Sequence, residues 1–353
     1  MLIDHKSHLA AWASWALLLA ITCNCAAQDL ATQPPTKLNS SQQKSTAYDP
    51  LAITEGFKPG SIELSVEQSG QGRSVPLRVD LPASKAAAPV VLFSHGLGGS
   101  RDAGHFLGNH WTARGYVAIF LQHPGSDSSV WRDVPMRERM TAMREAASGK
   151  NLLLRCDDVH ATLDQLEKWN QTEGHPLFGR LDLQHVGMSG HSFGAQTTQA
   201  VAGQKFPIGK SRTDTRIDAA VVFSPGSPAA GSKSQAFGSV QVPWMLMTGT
   251  KDVAPIGGQT IESRYAVYPN LPASIDKYEI VLKDAEHSIF SDLKQRGENT
   301  DREMKHHQSI LALSTAFWDA YLKNDAAARE WLTTDQVRNV IAAEDRWQLN
   351  SAK

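Results

Sequence analysis

The sequence contains few cysteines and carries almost no net charge. Its 353 residues include 3 cysteines, Cys23, Cys25 and Cys156, and the formal net charge is −1. The first two cysteines lie in a segment that we expect to be removed, so we predict no disulfide within the mature protein. No basic stripe in the sequence argues for nucleic acid, and beyond the amino terminus no apolar run could span a membrane. Stability must then come from a large apolar core, which a chain of this length can bury.

The amino terminus is typical of a signal peptide. Lys6 supplies a positive charge, residues 9–23 form an apolar run, and small residues precede Gln28, as a signal peptidase site requires. We therefore expect residues 1–27 to be cleaved and the protein to be exported, either to a periplasm or as a secreted protein. Two alternatives stay open. One is an uncleaved anchor, although the run is shorter than the roughly 20 residues that cross a bilayer. The other is lipid attachment at a cysteine of this segment, although the preceding residues fit that motif poorly.

Residues 28–58 differ in composition from the rest of the chain. They are rich in Gln, Thr, Ser and Pro and have no apolar periodicity. Such a segment cannot bury enough apolar surface to fold, so we predict a disordered linker there.

From residue 59 to residue 353 the pattern predicts one α/β domain. Alternating polar and apolar residues indicate an antiparallel hairpin at the start of the domain. Short apolar runs then alternate with stretches of helical spacing, which is typical of βαβ units and a mostly parallel sheet flanked by helices. An irregular insertion is predicted at about residues 125–150. The predicted strands are residues 61–66, 73–81, 89–94, 115–121, 185–189, 217–223, 242–247 and 277–282, and the predicted helices are 105–114, 151–169, 195–202 and 302–322.

The strongest chemical signal is the pentapeptide Gly190-His191-Ser192-Phe193-Gly194. It has the pattern G-x-S-x-G, follows an apolar strand and precedes a plausible helix, which is the context of a serine nucleophile. The glycines permit a sharp turn, and the start of the helix adds backbone donors and positive potential. A tight turn without chemistry is the alternative. We predict that Ser192 is a nucleophile.

A nucleophilic serine needs a base, and the base needs an acid that orients it. In parallel sheets of this type the acid and then the histidine follow the serine along the chain. His287 comes soon after the last predicted strand, whereas His306 and His307 lie in the last predicted helix, where we expect surface exposure. Asp252 follows the preceding strand. The alternatives are a loop histidine and a turn aspartate; we predict a triad of Ser192, Asp252 and His287.

Acyl transfer also requires backbone donors for an oxyanion. One donor is normally the N–H of the residue after the nucleophile, here Phe193, and the other comes from the loop after the third strand. That loop is rich in glycine, and we assign its donor to Leu97. A phosphate-binding turn is the competing interpretation, but no complete phosphate-binding motif follows.

A substrate pocket should lie over the nucleophile, near the loops that follow the third and fourth strands. We expect His95, His123 and Trp131 to line this pocket. The insertion should cover it. Trp131 and Met136 belong to the insertion, and the alternative for both is a small core of the insertion itself.

Two glycine motifs resemble those of a known family. The loop at residues 93–98, which reads Phe-Ser-His-Gly-Leu-Gly, and the pentapeptide around Ser192 resemble the platelet-activating-factor acetylhydrolase and predicted dienelactone hydrolase branch of the α/β hydrolases. The similarity covers roughly residues 60–325. The resemblance implies an α/β-hydrolase fold, hydrolysis of carboxylic esters without a metal or organic cofactor, and oxyanion donors at Leu97 and Phe193.

The sequence departs from this family in ways that leave the substrate open. The eukaryotic acetylhydrolases carry their acid near the strand that here ends at Ser224, where no carboxylate stands, so Asp252 follows the more general hydrolase pattern. Dienelactone hydrolases use a cysteine where this chain has Ser192. Bacterial polyesterases usually have a different pentapeptide and paired cysteines near the carboxyl terminus, and this chain has no such pair.

These features predict a serine hydrolase that cleaves carboxylic esters through an acyl-enzyme, as carboxylesterases, lipases and acetylhydrolases do. The expected partner is a small-molecule or lipid-like ester, consistent with lipid degradation, with no nucleic acid and no stable membrane span in the mature form. An amidase or peptidase on the same triad and a non-catalytic binding protein of the same fold remain alternatives. Acyl chain length, alcohol group and oligomeric state stay open.

Overall fold

The computed structural model of the protein describes residues 47–53, 57, 59–68, 72–207, 209–292 and 300–352. The predicted signal peptide and most of the predicted linker lie outside these residues. At the end of that linker, however, the Tyr48 ring packs against Trp331 with 6.2 Å between centroids, and its hydroxyl donates to Asp319 Oδ2 at 2.8 Å. The compact unit that contains the sheet includes the described residues from Ala47 onward. Tyr48 thus contacts the domain, and for the undescribed part of residues 28–58 the linker stays a prediction.

The strands of the described residues form one nine-stranded sheet. They are β1 (Gly60–Gln68), β2 (Arg73–Leu81), β3 (Ala88–Ser94), β4 (Val117–Leu121), β5 (Leu181–His191), β6 (Ala219–Phe223), β7 (Trp244–Lys251), β8 (Lys277–Glu286) and β9 (Arg346–Asn350). Their spatial order is β1-β2-β4-β3-β5-β6-β7-β8-β9. Strands β3 to β8 pair in parallel. Strands β1 and β2 pair antiparallel, as do β2 with β4 and β8 with β9. The predicted α/β class, mostly parallel sheet and antiparallel first pair are confirmed.

Helices flank the sheet, and some of them begin at a residue whose side chain accepts from their first N–H groups. Ser148 Oγ accepts from Asn151 N at 3.2 Å at the start of the longest helix, and Thr300 and Glu303 form a capping box before the closing helix. The helices are α1 (His105–Ala113), α2 (Ser129–Arg132), α3 (Met136–Ala146), α4 (Gly149–Gln171), α5 (Phe193–Val201), α6 (Lys233–Phe237), α7 (Ile261–Tyr265), α8 (Asp301–Leu322) and α9 (Ala326–Thr333).

The sheet separates two apolar cores because side chains of a strand point alternately to its two faces. In β3, Val90 and Leu92 belong to the core that includes buried residues of α4 and α5. Val91 and Phe93 belong to the opposite core, with residues of α1 and α8 such as Trp318. A strand covered on both faces has a continuous apolar sequence, which explains why the central strands were predictable.

The insertion was predicted to be irregular, but it is helical. Helices α2 and α3 form it, and Ala146 is the one buried residue of α3. Met136, Met140 and Met143 of α3 have helical spacing, but so short a pattern does not by itself indicate a helix. Helix α9 and strand β9, after the predicted closing helix, were also not predicted.

The fold brings the candidate residues to one edge of the sheet. Strands β3, β5, β7 and β8 are parallel, so their carboxyl ends meet at the same edge. The described helices include none with the length and apolarity that a membrane crossing requires.

Candidate active site

Ser192 lies in the sharp turn between β5 and α5. Its backbone angles, φ 59° and ψ −111°, are rare for a residue with a side chain. Its N–H donates to Phe223 O of the neighbouring strand β6 at 3.1 Å, which fixes the turn to the sheet. The side chain is thereby presented at the carboxyl end of β5, as the pentapeptide predicts.

The two glycines of the pentapeptide are required by close packing of backbone. A Cβ built on Gly190 would lie 2.4 Å from Gly194 O, and a Cβ on Gly194 would lie 1.9 Å from Ser94 O. No side chain fits at either distance. The absence of these side chains lets β5, α5 and the end of β3 approach one another around Ser192.

The structure brings the three residues of the predicted triad together. His287 directly follows β8, and its Nε2 lies 2.8 Å from Ser192 Oγ. Asp252 directly follows β7, and its Oδ1 lies 2.6 Å from His287 Nδ1. The serine, the imidazole and the carboxylate thus form one hydrogen-bonded series.

A buried arginine, Arg264 of α7, supports the carboxylate of this series. Its Nη2 lies 3.0 Å from Asp252 Oδ1 and its Nε donates to Asp252 O at 2.6 Å, while Thr248 Oγ1 donates to Asp252 Oδ2 at 2.8 Å. Burial opposes ionisation of Asp252, but the hydrogen bond from His287 and the charge of Arg264 outweigh it, so the pKa of this carboxyl lies below its ordinary value. The carboxylate therefore stays charged. Sequence reasoning missed Arg264, which belongs to no motif.

His191 provides a neutral neighbour for His287. Its ring centroid lies 4.6 Å from that of His287, and it is buried. Burial, and then the nearby His287, lower the pKa of His191 to about 3. At neutral pH His191 therefore carries no charge that would compete with protonation of His287.

The other two histidines downstream of Ser192 form their contacts elsewhere in the domain. His306 Nε2 contacts Lys283 O at 3.1 Å, and His307 Nε2 contacts Ile289 O at 3.0 Å. His306 is buried, so the expectation of surface exposure is wrong for it. His306 lies on the side of α8 that contacts β8, whereas most residues of the first turn of this helix stay exposed.

The glycine loop after β3 lies over the serine. A Cβ built on Gly96 would be 3.5 Å from Ser192 Cβ, an ordinary contact distance. Leu97, the next residue, and Phe193, the first residue of α5, both line the cavity above Ser192. The first N–H groups of a helix have no partner within the helix, so Phe193 can offer its N–H to a ligand. Both predicted donor residues are thus at the serine.

His95 and His123 do not line the pocket, and this prediction is corrected. Both side chains are buried, with 1% of His95 and 0% of His123 exposed. His123 Nε2 lies 2.9 Å from Ser94 Oγ, and its Nδ1 lies 2.9 Å from Asp158 Oδ2. The side chains that follow β3 and β4 therefore turn into the domain, where polar partners satisfy them.

A cavity of about 1020 Å³ opens above Ser192. The insertion forms one wall with Trp131 and Met143, and the segment after β7 forms another with Val253 and Ile256. Trp131 thus lines the pocket as expected. Met136 of the insertion is 82% exposed and does not line it. Among the described residues no group of three or more His, Cys, Asp and Glu side chains could hold a metal ion.

Comparison with known proteins does not assign the chain to a family. No protein-family model matches the chain, and no curated protein is significantly similar to it. A functional assignment therefore depends on the residues of the site and on their arrangement.

Proposed function

We propose that the protein is a serine hydrolase of the α/β-hydrolase type that cleaves carboxylic esters. The observation that carries the proposal is the series Ser192 Oγ, His287 and Asp252, with 2.8 Å and 2.6 Å between successive partners. In such a series the imidazole can remove the serine proton while the carboxylate holds its tautomer. The strained turn at Ser192 and the likeness of the two glycine motifs to the acetylhydrolase and dienelactone hydrolase branch support the same class.

The first half of the reaction forms an acyl-enzyme. His287 Nε2 takes the proton of Ser192 as Oγ attacks the ester carbonyl carbon. Asp252 stabilises the resulting imidazolium, and the N–H groups of Leu97 and Phe193 bind the oxyanion. The bond between the carbonyl carbon and the alcohol oxygen then breaks, and His287 gives its proton to the leaving alcohol.

The second half releases the acid. His287 Nε2 takes a proton from water as the water oxygen attacks the acyl carbon. The same two N–H groups bind the second oxyanion. The bond to Ser192 Oγ breaks, Oγ recovers the proton from His287, and the carboxylic acid leaves. One ester and one water thus give one alcohol and one acid.

The cavity favours esters with sizeable apolar groups. A volume of about 1020 Å³ is at the upper end of sites that enclose drug-sized ligands. The walls near Ser192 include Trp131, Met143, Val253 and Ile256, so burial of an apolar chain there is favourable. We expect a small-molecule or lipid-like ester with an apolar group longer than acetyl to be preferred.

The test is hydrolysis of p-nitrophenyl esters from acetate to palmitate by the purified protein and its variants. Ser192→Ala should lower kcat by about 10⁴–10⁶, and Asp252→Asn by about 10⁴, because the first loses the nucleophile and the second loses the correct histidine tautomer. The matched control is Ser65→Ala on the exposed edge strand β1, which should keep wild-type kcat.

Three outcomes would contradict the proposal. Wild-type kcat in the Ser192→Ala variant would remove the nucleophile assignment. Ser192-dependent cleavage of aminoacyl amides without cleavage of any ester would make the protein an amidase or peptidase on the same triad. Failure of the folded wild type to turn over either class would favour a binding protein of this fold.

We also propose that the protein is exported. The support is in the sequence: a positive charge at Lys6, the apolar run at residues 9–23 and small residues before Gln28. Expression in a bacterium, followed by intact-mass measurement of the exported fraction, should give a chain that begins at Gln28. An added lipid mass would indicate the lipoprotein alternative, and an uncleaved cytosolic chain would contradict export.

A further inference from the structure

Arg155 is a buried charge that the mechanism above leaves unexplained. It lies in α4, and 0% of its surface is accessible. It forms hydrogen bonds but no ion pair with a carboxylate of the described residues. A buried cation without an ion pair is costly, and burial accordingly lowers the pKa of Arg155. The contacts of its guanidinium therefore indicate what the domain gains from it.

The guanidinium joins the two loops that follow β3 and β4. Nη1 donates to His95 O at 2.6 Å, and Nη2 lies 3.4 Å from Gly96 O in the same loop. Nη2 also donates to Ser126 O at 3.2 Å, and Nε donates to Ser126 Oγ at 2.8 Å. Only arginine has a planar set of donors that can hold several oxygens in this way.

Of these contacts of Arg155, the one with the Gly96 oxygen bears directly on the proposed reaction. This oxygen belongs to the same peptide unit as the Leu97 N–H, one of the two proposed oxyanion donors. A peptide unit is planar and trans, so its C=O and N–H point in opposite directions. Donors that hold the Gly96 oxygen toward the interior therefore direct the Leu97 N–H outward, on the side of the cavity that Leu97 lines.

His95 holds the same oxygen. Its Nε2 accepts from His123 N at 3.0 Å, so the proton is on Nδ1, which donates to Gly96 O at 2.6 Å. Burial, followed by the charge of Arg155, lowers the pKa of His95 well below its ordinary value and keeps this neutral tautomer. The Gly96 oxygen thus accepts from His95 Nδ1, from the Gly99 N–H at 3.1 Å and, at the longer distance, from the charged Arg155.

Arg155 also contacts the residue that carries the second proposed donor. Its guanidinium carbon lies 4.5 Å from the centroid of the Phe193 ring. A cation over an aromatic face is attracted to it, and the contact limits movement of the first turn of α5. One side chain therefore touches both segments that supply the oxyanion N–H groups.

We infer that Arg155 is a positioning residue of the oxyanion site, which acts with neutral His95 to fix the Gly96–Leu97 peptide and the start of α5. The inference depends on the proposed ester hydrolysis. Arg155 touches neither substrate nor Ser192, so it acts through the direction of the Leu97 N–H. Donors fixed in advance stabilise the oxyanion of the transition state more than the neutral carbonyl of the substrate.

The test is Arg155→Lys, which keeps the charge and loses the planar set of donors. Active molecules are counted by labelling Ser192 to completion with a fluorophosphonate. Loss of one whole oxyanion donor costs about 10²–10³ in kcat, so a misdirected donor should lower kcat per labelled Ser192 by about 10–100-fold. KM should change by less than about 3-fold, because the ground-state carbonyl needs the donor less. Affinity for a trifluoromethyl ketone, which forms the tetrahedral adduct, should fall in parallel with kcat/KM.

The matched control is Arg114→Lys at the end of α1. Arg114 also donates to backbone oxygens, those of Asp49 and Ala52, but away from the strand ends that carry the site. This variant should keep wild-type kcat per labelled Ser192. Its thermal unfolding, compared with that of Arg155→Lys, separates lost stability from lost positioning.

The outcomes separate this inference from the proposed function. If wild type shows Ser192-dependent esterase activity and Arg155→Lys keeps wild-type kcat per labelled serine, the inference is overturned and the function stands. If wild type has no such activity, the proposed function itself has failed. If Arg155→Lys does not fold, the same measurement is made on His95→Gln. This variant should lose about 10-fold in kcat with an unchanged KM, and wild-type kcat would overturn the inference.

Discussion

Ser192 is held in a conformation that its backbone would not choose alone. A residue with a side chain at φ 59° and ψ −111° costs about 1–3 kcal/mol. The hydrogen bond to Phe223 O and the close packing of Gly190 and Gly194 overcome this cost. Strain at this position has a chemical use, because the turn directs Oγ away from the backbone and toward His287.

The packing at Gly194 gives a prediction on stability. In Gly194→Ala the new Cβ would lie 1.9 Å from Ser94 O, a backbone atom that cannot rotate away. We expect the free energy of unfolding, measured with urea, to fall by about 2–3 kcal/mol. Gly149→Ala is the control, since nothing lies within 4 Å of its Cβ position at the start of α4, and it should be neutral or stabilising by up to about 1 kcal/mol. Equal stability of the two variants would contradict the described packing.

At the scale of elements, the insertion formed by α2 and α3 is attached directly to the glycine loop. Trp131 Nε1 donates to Gly98 O at 2.7 Å. Met143 also lies beside this glycine, where an added Cβ would be 2.6 Å from its Cε. Since Gly98 adjoins Leu97, the wall of the pocket and the proposed oxyanion donor share one support.

This attachment predicts that Trp131 limits the size of the substrate. Trp131→Ala removes an apolar wall and should raise the ratio of kcat/KM for long-chain over short-chain p-nitrophenyl esters by about tenfold, a plausible value for changed apolar contacts in a pocket. Met136→Ala is the matched control, because Met136 belongs to the same insertion but is 82% exposed and outside the cavity. An identical chain-length profile in Trp131→Ala and wild type would exclude Trp131 as a determinant of size.

The order of the elements along the chain explains which residues of the site can be predicted from the sequence. Ser192, Asp252 and His287 each follow an apolar strand, and each has the residue type that its predicted role needs, so order along the chain was enough to select them. Arg155 and Arg264 could not be found in this way. Much of their hydrogen bonding is to backbone oxygens, which every residue carries, and such partners leave no pattern of side chains in the sequence.

Secondary structure could be predicted where the buried apolar residues recur in the sequence with the period of a strand or a helix. The central strands, covered on both faces, and α4, with its stripe of buried apolar residues, were found within a few residues of their ends. Helix α3 has one buried residue and β9 has none, and each carries only a short pattern: Met136, Met140 and Met143 at helical spacing, and Trp347 and Leu349 alternating with polar residues. So short a pattern does not by itself indicate a helix or a strand, and neither element was predicted.

At the scale of the whole molecule, Asp319 connects distant parts of the chain beneath the surface. Its carboxylate accepts from the hydroxyls of Tyr48 at 2.8 Å and Tyr116 at 2.7 Å, and from Lys323 Nζ at 2.8 Å. Arg114 Nη2 completes the set at 2.5 Å. One buried carboxylate of α8 thus holds the first described residues, the end of α1 and the approach to β4.

This cluster predicts how stability depends on pH. Burial opposes ionisation of Asp319, but the charges of Lys323 and Arg114 outweigh it, so the pKa of the carboxyl lies below its ordinary 3.8. A carboxyl whose pKa is lower in the folded state stabilises the fold above the unfolded value, and this contribution disappears as the pH falls through the folded pKa. Asp319→Asn should therefore lower the free energy of unfolding by about 2–3 kcal/mol at pH 7, because the buried charge that accepts these hydrogen bonds is lost.

The measurement is urea unfolding of wild type and Asp319→Asn between pH 7 and pH 2. The difference between them should be constant at neutral pH and should shrink below the ordinary pKa of 3.8, as the wild type also loses the charge. Tyr48→Phe is the control for a single contact: it removes one hydroxyl and keeps the carboxylate, so it should cost about 1–2 kcal/mol at pH 7. A deficit in Asp319→Asn that stays the same down to pH 2 would show that lost packing, and not the charge, stabilises this part of the domain.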